Sequence, residues 1–330
     1  MVVKEKPMVL PVPEFFARQN VSSVYVERAG LVAEVAEAYS KKHGLRPAAD
    51  DRVRMAAFGI DVQIGFCMPG ASLFVPGAVE DTTRTIEWMY RNLNCLSALY
   101  FSLDTHHLFQ IFHPAWWVDA EGNHPVPFTT VSMRDLEQGR WRPVTHSDAS
   151  LEYVRKLEST GKYVLTIWPY HTLLGGVSHA LVPAMMEAAL FHAAARRCDT
   201  HFEIKGRHAL TENYSVMAPE VTEVGGERVG AFNESLFRAL MEYERVYIFG
   251  QAKSHCVLST INDLEVRARR LDVRLLEKLW VLEDAMSPVP APAIDPVPSH
   301  LDFPRLADEA VARWKRAGMH IVRTTEPIVS

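Results

Sequence analysis

Cysteine is scarce. Cys67, Cys95, Cys198 and Cys256 are the four thiols of a 330-residue chain. That is too few to staple a chain of this length, so a disulfide scaffold is excluded and a reducing cytoplasm is the simplest setting. An excess of positive charge is missing too. Lys and Arg number 35 against 40 Asp and Glu, for a net charge of -5, and the two signs are interspersed, which leaves no basic face for a nucleic acid. No apolar run is long enough to cross a bilayer. The first residues carry Lys4 and Lys6, but Pro11 and Pro13 break the apolar stretch after them, so no signal-peptide core is read there. Internal repeats and low-complexity tracts are absent. What the chain does have is apolar residues, 48% of the total, enough for a sizeable core in one large domain or two ordinary ones.

The patterning alternates strands with helices. Residues 1–51 read as an irregular arm and an amphipathic helix over 24–43, ending at Gly44, and the main domain runs over 52–330. Strands are expected at 55–60, 96–103, 163–168, 201–204, 246–249, 279–282 and 319–323. Helices are expected at 79–93, 151–159, 181–197, 232–243, from Cys256 onward, at 266–278 and at 306–317. Residues 62–70 read as a loop, and 288–298 as a proline-rich link. Residues 108 to about 150, rich in Pro, Gly, His and Trp, read as a long excursion over the reactive face, since long irregular segments are usually functional or disordered. Alternating strands and helices predict an α/β fold, a parallel sheet with helices on both faces.

In such a sheet the chemistry lies beyond the carboxyl ends of the strands. Asp61, Asp104, His106, His171, Lys205 and Cys256 each come just after an expected strand, which gathers six reactive side chains at one edge. Two constellations result. In the first, Cys256 opens a helix, where the dipole is expected to lower the thiol pKa. Asp61 can accept its proton and Lys205 can steady negative charge. The backbone N–H groups of Ala252 and Cys256 can serve as an oxyanion hole. Taken singly, Asp61 reads as a loop cap, Lys205 as a solvated charge and Cys256 as a buried structural thiol. The second constellation, Asp104, His106 and His171, offers one oxygen and two imidazole nitrogens, a donor set for zinc, iron or manganese. His107, His113 and His124 are further candidates that otherwise read as surface histidines.

These residues resemble the nicotinamidase branch of the isochorismatase-like cysteine hydrolases. The resemblance covers about 52–325, and its motifs come in the family's order. Asp61-Val-Gln-Ile-Gly-Phe66 with Met68 to Gly77 resembles the first motif, and Asp104-Thr-His106 the first metal pair. Trp168-Pro-Tyr-His171 resembles the segment with the next ligand, and Lys205-Gly206 with Asn213-Tyr214-Ser215 the catalytic lysine segment. Gly250-Gln-Ala252-Lys-Ser-His-Cys256-Val resembles the nucleophile motif, and Asp284-Ala285-Met286-Ser287 the segment after the next strand. The resemblance implies a three-layer α/β/α fold around a mainly parallel six-stranded sheet and a cis peptide before Ala252. It also implies hydrolysis of nicotinamide to nicotinate and ammonia through a Cys256 thioester. Asp61 is then the proton relay and Lys205 the electrostatic partner. Phe66, Trp168 and Tyr214 wall the ring, and a divalent metal, zinc first, holds the pyridine nitrogen.

The sequence also departs from that pattern. Gly65 stands where an Asp is usual, and Lys253-Ser254-His255 replaces a Thr-Asp-aromatic run. The chain is longer than a typical nicotinamidase, and its insertions can cover the pocket or build a subunit interface, so a homo-oligomer is expected. These departures leave two other functions open: an amidase of the same family acting on another small amide or ureide, and a catalytically silent binding protein of the same fold.

Overall fold

The computed structural model describes residues 9–161, 163–291, 295–299 and 301–328. The first eight residues of the expected arm and part of the proline-rich link lie outside the described residues. Six strands form the central sheet: β1 (Met55–Ile60), β2 (Ala98–Asp104), β3 (Thr200–Lys205), β4 (Arg245–Gly250), β5 (Leu279–Leu282) and β6 (His320–Val322). Their order is β6-β5-β4-β1-β2-β3, and every pairing is parallel. From β1 the chain works outward through β2 and β3. It then returns to the other flank of β1 and works outward again from β4. The order therefore reverses between β1 and β4, the place where an open parallel sheet leaves a crevice at its carboxyl edge.

All six residues of β1 are buried, as a strand covered on both faces requires. Side-chain alternation divides them. Ala56, Phe58 and Ile60 join one core, and Met55 and Ala57 the other. The first core is covered by α3 (Ser147–Ser159), α5 (Glu234–Met241), α6 (Cys256–Leu271) and α7 (Phe303–Ala317). The second is covered by α1 (Ala29–His43), α2 (Ala78–Arg91) and α4 (Pro183–Arg196). This is the three-layer arrangement. The N-terminal helix takes part in it, because Val32, Ala36 and Tyr39 are buried in the second core. The segment before α1 is clamped by ion pairs from Arg18 to Glu87 and from Arg28 to Glu187, both carboxylates being buried. Arg28 also gives its backbone N–H to Glu187, and the helix begins only after it, five residues later than its apolar spacing predicts.

Three other expectations are corrected. The 163–168 segment is not a strand of the central sheet. Only Leu165–Thr166 are extended, paired antiparallel with Thr130–Val131, and the place beside β2 belongs to β3. Its backbone is taken up by the excursion instead: Phe128 N–H donates to the Ile167 carbonyl and Trp168 N–H to the Phe112 carbonyl. Within the expected 62–70 loop, Ile64–Cys67 make one helical turn. Residues 266–278 are not one helix, because α6 ends at Leu271 and a 3-10 turn, Val273–Lys278, comes after Asp272. The 108–150 excursion, for its part, buries Ile111, Phe112, Trp116 and Trp117 in the first core.

Where β4 hands over to the turn before α6, the packing tolerates no side chain. Gly250 has φ +125, and a Cβ there would meet the Ile60 carbonyl oxygen at 2.0 Å and the Ile60 nitrogen at 2.6 Å. Gly250→Ala is expected to cost at least about 4 kcal/mol in denaturant unfolding. Gly318→Ala, also at positive φ but with nothing within 4 Å, should cost about 1–2 kcal/mol for its backbone alone. Equal losses in the two variants would refute the steric reading.

Candidate active site

β1 and β4 end side by side, with Ile60 opposite Gly250. Asp61 comes directly after β1, fully buried, with φ +48. A non-glycine residue in that region is held there by its surroundings. Ser102 on β2 grips it from both sides: the Asp61 N–H donates to Ser102 Oγ at 3.0 Å, and Ser102 Oγ donates to Asp61 Oδ1 at 2.5 Å. The second oxygen, Oδ2, lies 3.0 Å from Lys205 Nζ as an ion pair but takes no directed hydrogen bond from it. Burial pushes the Asp61 carboxyl up, against the pull of the Lys205 ammonium. A carboxylate so placed can accept a proton.

Lys205, the last residue of β3, is the hub. Its ammonium donates to Asp104 Oδ1 at 2.8 Å, to the Asn213 carbonyl at 2.8 Å and to Cys256 Sγ at 3.7 Å. Burial disfavours its charge, but Asp104 and Asp61 outweigh burial and hold it well above the ordinary lysine range. Cys256 is the first residue of α6. The His255 and Val257 N–H groups both donate to the Ala252 carbonyl, closing the turn that carries the thiol, and the Gln251–Ala252 peptide is cis. The sequence predicted a lowered thiol pKa from the helix dipole. The structure corrects this: burial pushes the Cys256 thiol well up, and Lys205 only opposes that rise. The resting sulfur is a thiol, 3.7 Å from an ammonium that is itself paired with the Asp61 carboxylate.

Asp104 ties the second constellation to the first. While Oδ1 binds Lys205, Asp104 Oδ2 lies 2.8 Å from His106 Nε2 and 3.5 Å from His171 Nε2. The three ligand atoms lie within 4.8 Å of one another. Each imidazole is anchored through Nδ1, His106 to the Gly206 carbonyl at 3.1 Å and His171 to the Pro169 carbonyl at 2.8 Å. Those bonds place the proton on Nδ1 and leave Nε2 as the donor atom of a metal ligand. Gly206, at φ +82, lets the backbone come this close, for a Cβ there would meet His106 and Asp104 at under 3 Å. Of the three further histidines, His107 and His124 are exposed. His113 is buried with its ring centroid 5.8 Å from that of His106 and 5.9 Å from that of His171. Its Nδ1 faces the Leu108 carbonyl at 3.2 Å, and its buried Nε2 has no partner. An orphaned nitrogen beside two ready imidazoles and a carboxylate fits a bound cation.

Both groups open into one pocket, which Cys256, Asp104 and His171 line. Phe66, Trp168 and Tyr214 line it, together with Leu73, Val289 and His255. Trp168 Nε1–H donates to the Tyr214 hydroxyl at 3.1 Å, and Phe66 meets the His171 ring edge-on at 5.6 Å. One titratable lining residue was missed in the sequence. Glu212 is buried, its carboxyl is pushed up to about 7 by burial against the pull of His106, and its Oε1 accepts the Asn213 N–H. Its only signal was its place directly before Asn213, in the segment that resembles the lysine motif.

No family model and no curated protein matches the chain by sequence. Solved structures do match its shape. The yeast nicotinamidase bound to the inhibitor nicotinaldehyde is 17% identical and superposes with a TM-score of 0.50, over 82% of this chain and 99% of that one. The chain has the isochorismatase-like fold. A nicotinamidase/pyrazinamidase of Acinetobacter baumanii is 19% identical over 84% of this chain and 98% of its own, with a TM-score of 0.49. A pyrazinamidase of Pyrococcus horikoshii in complex with zinc is 17% identical over 82% and 98%, with a TM-score of 0.44. Among the described residues, no helix is long and apolar enough to cross a membrane.

Proposed function

We propose that the chain is an amidohydrolase that releases ammonia from a small carboxamide through a Cys256 thioester, with nicotinamide as the first candidate. The observation that carries this reading is the meeting of Asp61, Lys205 and Cys256 at the sheet crevice, with sulfur 3.7 Å from an ammonium that also touches Asp61. Asp61 takes the thiol proton as sulfur attacks the amide carbon, and the Ala252 and Cys256 N–H groups face the developing oxyanion. Lys205 offsets the negative charge. Asp61 returns the proton to the leaving nitrogen, the C–N bond breaks and ammonia departs. Water then attacks the thioester, giving a proton to Asp61. The C–S bond breaks and sulfur takes that proton back. Phe66, Trp168 and Tyr214 hold the ring.

Asp104, His106 and His171 would hold a divalent cation, zinc first, with iron and manganese the alternatives. Such an ion supplies a Lewis-acid site for a ring nitrogen. Removing it by chelation is expected to lower the thermal midpoint. Adding back each metal at 100 times its Kd should restore about 2.7 kcal/mol, and His171→Ala should abolish the response. A chain with no bound metal by elemental analysis and no shift with any of the three would end this assignment.

The substrate is tested by ammonia release from nicotinamide and from a panel of small amides and ureides. Robust cleavage of another member with nicotinamide untouched favours the second reading, an amidase of different specificity. That reading has its own support in His255, a polar ring lining the cavity directly beside the nucleophile.

A further inference from the structure

His255 occupies a position that the proposed chemistry does not use. It immediately precedes the nucleophile, is 6% exposed and lines the cavity. Four aromatic rings fix its plane. Trp168 meets it edge-on at 5.7 Å, Tyr214 at 5.6 Å and Phe303, from the first turn of α7, at 4.8 Å, while Tyr163 lies parallel at 6.5 Å.

The hydrogen bonding of its neighbour fixes its tautomer. Ser254 Oγ accepts the Val289 N–H at 3.0 Å and lies 2.9 Å from His255 Nδ1. A hydroxyl has one proton to give, and among the described residues this one has no other acceptor for it. Ser254 therefore donates to Nδ1, and the imidazole proton sits on Nε2. The other ring nitrogen is thus an N–H donor, on a ring that lines the cavity.

We propose that His255 is a specificity-determining residue, its Nε2–H selecting ring carboxamides that carry one acceptor more than pyridine-3-carboxamide, either a second ring nitrogen or a ring carbonyl. This rests on the amidohydrolase reading above. Burial keeps the imidazole uncharged, pushing its pKa down to about 4, so the partner it suits is a neutral acceptor and not a carboxylate. The nearby walls at Phe66, Leu73, Val75 and Val289 are apolar. A donor left unmatched against such walls costs binding, which makes it a filter as well as a contact.

The test compares pyridine-3-carboxamide with pyrazine-2-carboxamide, which has one more ring nitrogen, and with 6-oxo-1,6-dihydropyridine-3-carboxamide, which has a carbonyl. At least one of the two acceptor-bearing rings is expected to exceed pyridine-3-carboxamide in kcat/KM by about tenfold. His255→Phe, which keeps a ring and removes the donor, should bring that ratio to within about twofold, and Ser254→Ala, which frees the tautomer, should reduce it part-way. The same ratios are read as Kd by calorimetry in Cys256→Ala and in Cys256→Ala/His255→Phe. If no amide on the panel is cleaved, the amidohydrolase reading fails, and the calorimetric ratios still decide the role of His255. An unchanged ratio in the His255→Phe proteins, or a wild-type preference for the ring without the extra acceptor, overturns the proposal.

Discussion

Cys256→Ala is expected to lower ammonia release at least about 10⁴-fold while leaving the protein folded. The magnitude comes from the role. A nucleophile whose removal leaves only positioning and electrostatics takes most of the rate enhancement with it. The fold should survive, because alanine keeps the helix start and leaves Lys205 with Asp104 Oδ1 and the Asn213 carbonyl as hydrogen-bond partners. The unfolding free energy should therefore stay within about 1 kcal/mol of wild type. Cys256→Ser should not rescue the rate. A hydroxyl is much harder to deprotonate than a thiol, and Asp61 has only the basicity that burial lends it. Acid quenching of the wild-type protein during turnover should trap an acyl adduct, located by mass on the Cys256 peptide, and the alanine variant should show none. Wild-type turnover by Cys256→Ala would remove sulfur from the mechanism and with it the thioester.

The crevice was legible in the sequence because it is built at strand ends. β1 and β4 are runs of buried residues closed by Asp61 and Gly250, and a parallel sheet brings the ends of such runs to one edge. His171 was placed on the same reasoning for a wrong cause. Its segment is no sheet strand, and the residue reaches the site because Trp168 is tied to Phe112 and His106 gives its N–H to the Thr172 carbonyl. Those are contacts between chain segments more than 50 residues apart, which local pattern does not carry. The thiol was misjudged for a related reason. The helix dipole is visible in sequence, but the burial that outweighs it is a property of the packed core. Ser102 was invisible on the same grounds. It sits inside β2 as one small polar residue, and only the pairing of β1 with β2 sets it against Asp61.

A large and pH-dependent stability effect should come from Lys205→Met. The side chain is buried, and its ammonium faces two buried carboxylates, Asp104 at 2.8 Å and Asp61 at 3.0 Å. Removing one member of a buried ionic group leaves its partners uncompensated and typically costs about 3–5 kcal/mol, whereas methionine replaces most of the volume. Arginine should not substitute, because a planar guanidinium cannot take the place of a compact ammonium held among Asp61, Asp104 and Asn213. The loss should depend on pH with a definite sign. Without the ammonium, the Asp61 carboxyl, already raised by burial, rises further, so the folded variant binds more protons than the unfolded chain. Its stability then increases as pH falls from neutral toward the ordinary carboxylate range near about 4. In the wild type, Lys205 stays charged and restrains the rise of Asp61, and Asp104, held low because His106 and Lys205 outweigh its burial, keeps its contribution until the pH falls below the ordinary carboxylate range, so the wild type gains less over the same descent. The gap between the two proteins should therefore be widest at neutral pH and narrow toward pH about 5, and Asp61→Asn added to Lys205→Met should narrow it at neutral pH as well. Denaturant titrations of the four proteins at two pH values decide the matter. A deficit that is constant with pH and indifferent to Asp61→Asn would mean that Lys205 is held by packing, and that the acid, the ammonium and the thiol do not act as one electrostatic unit.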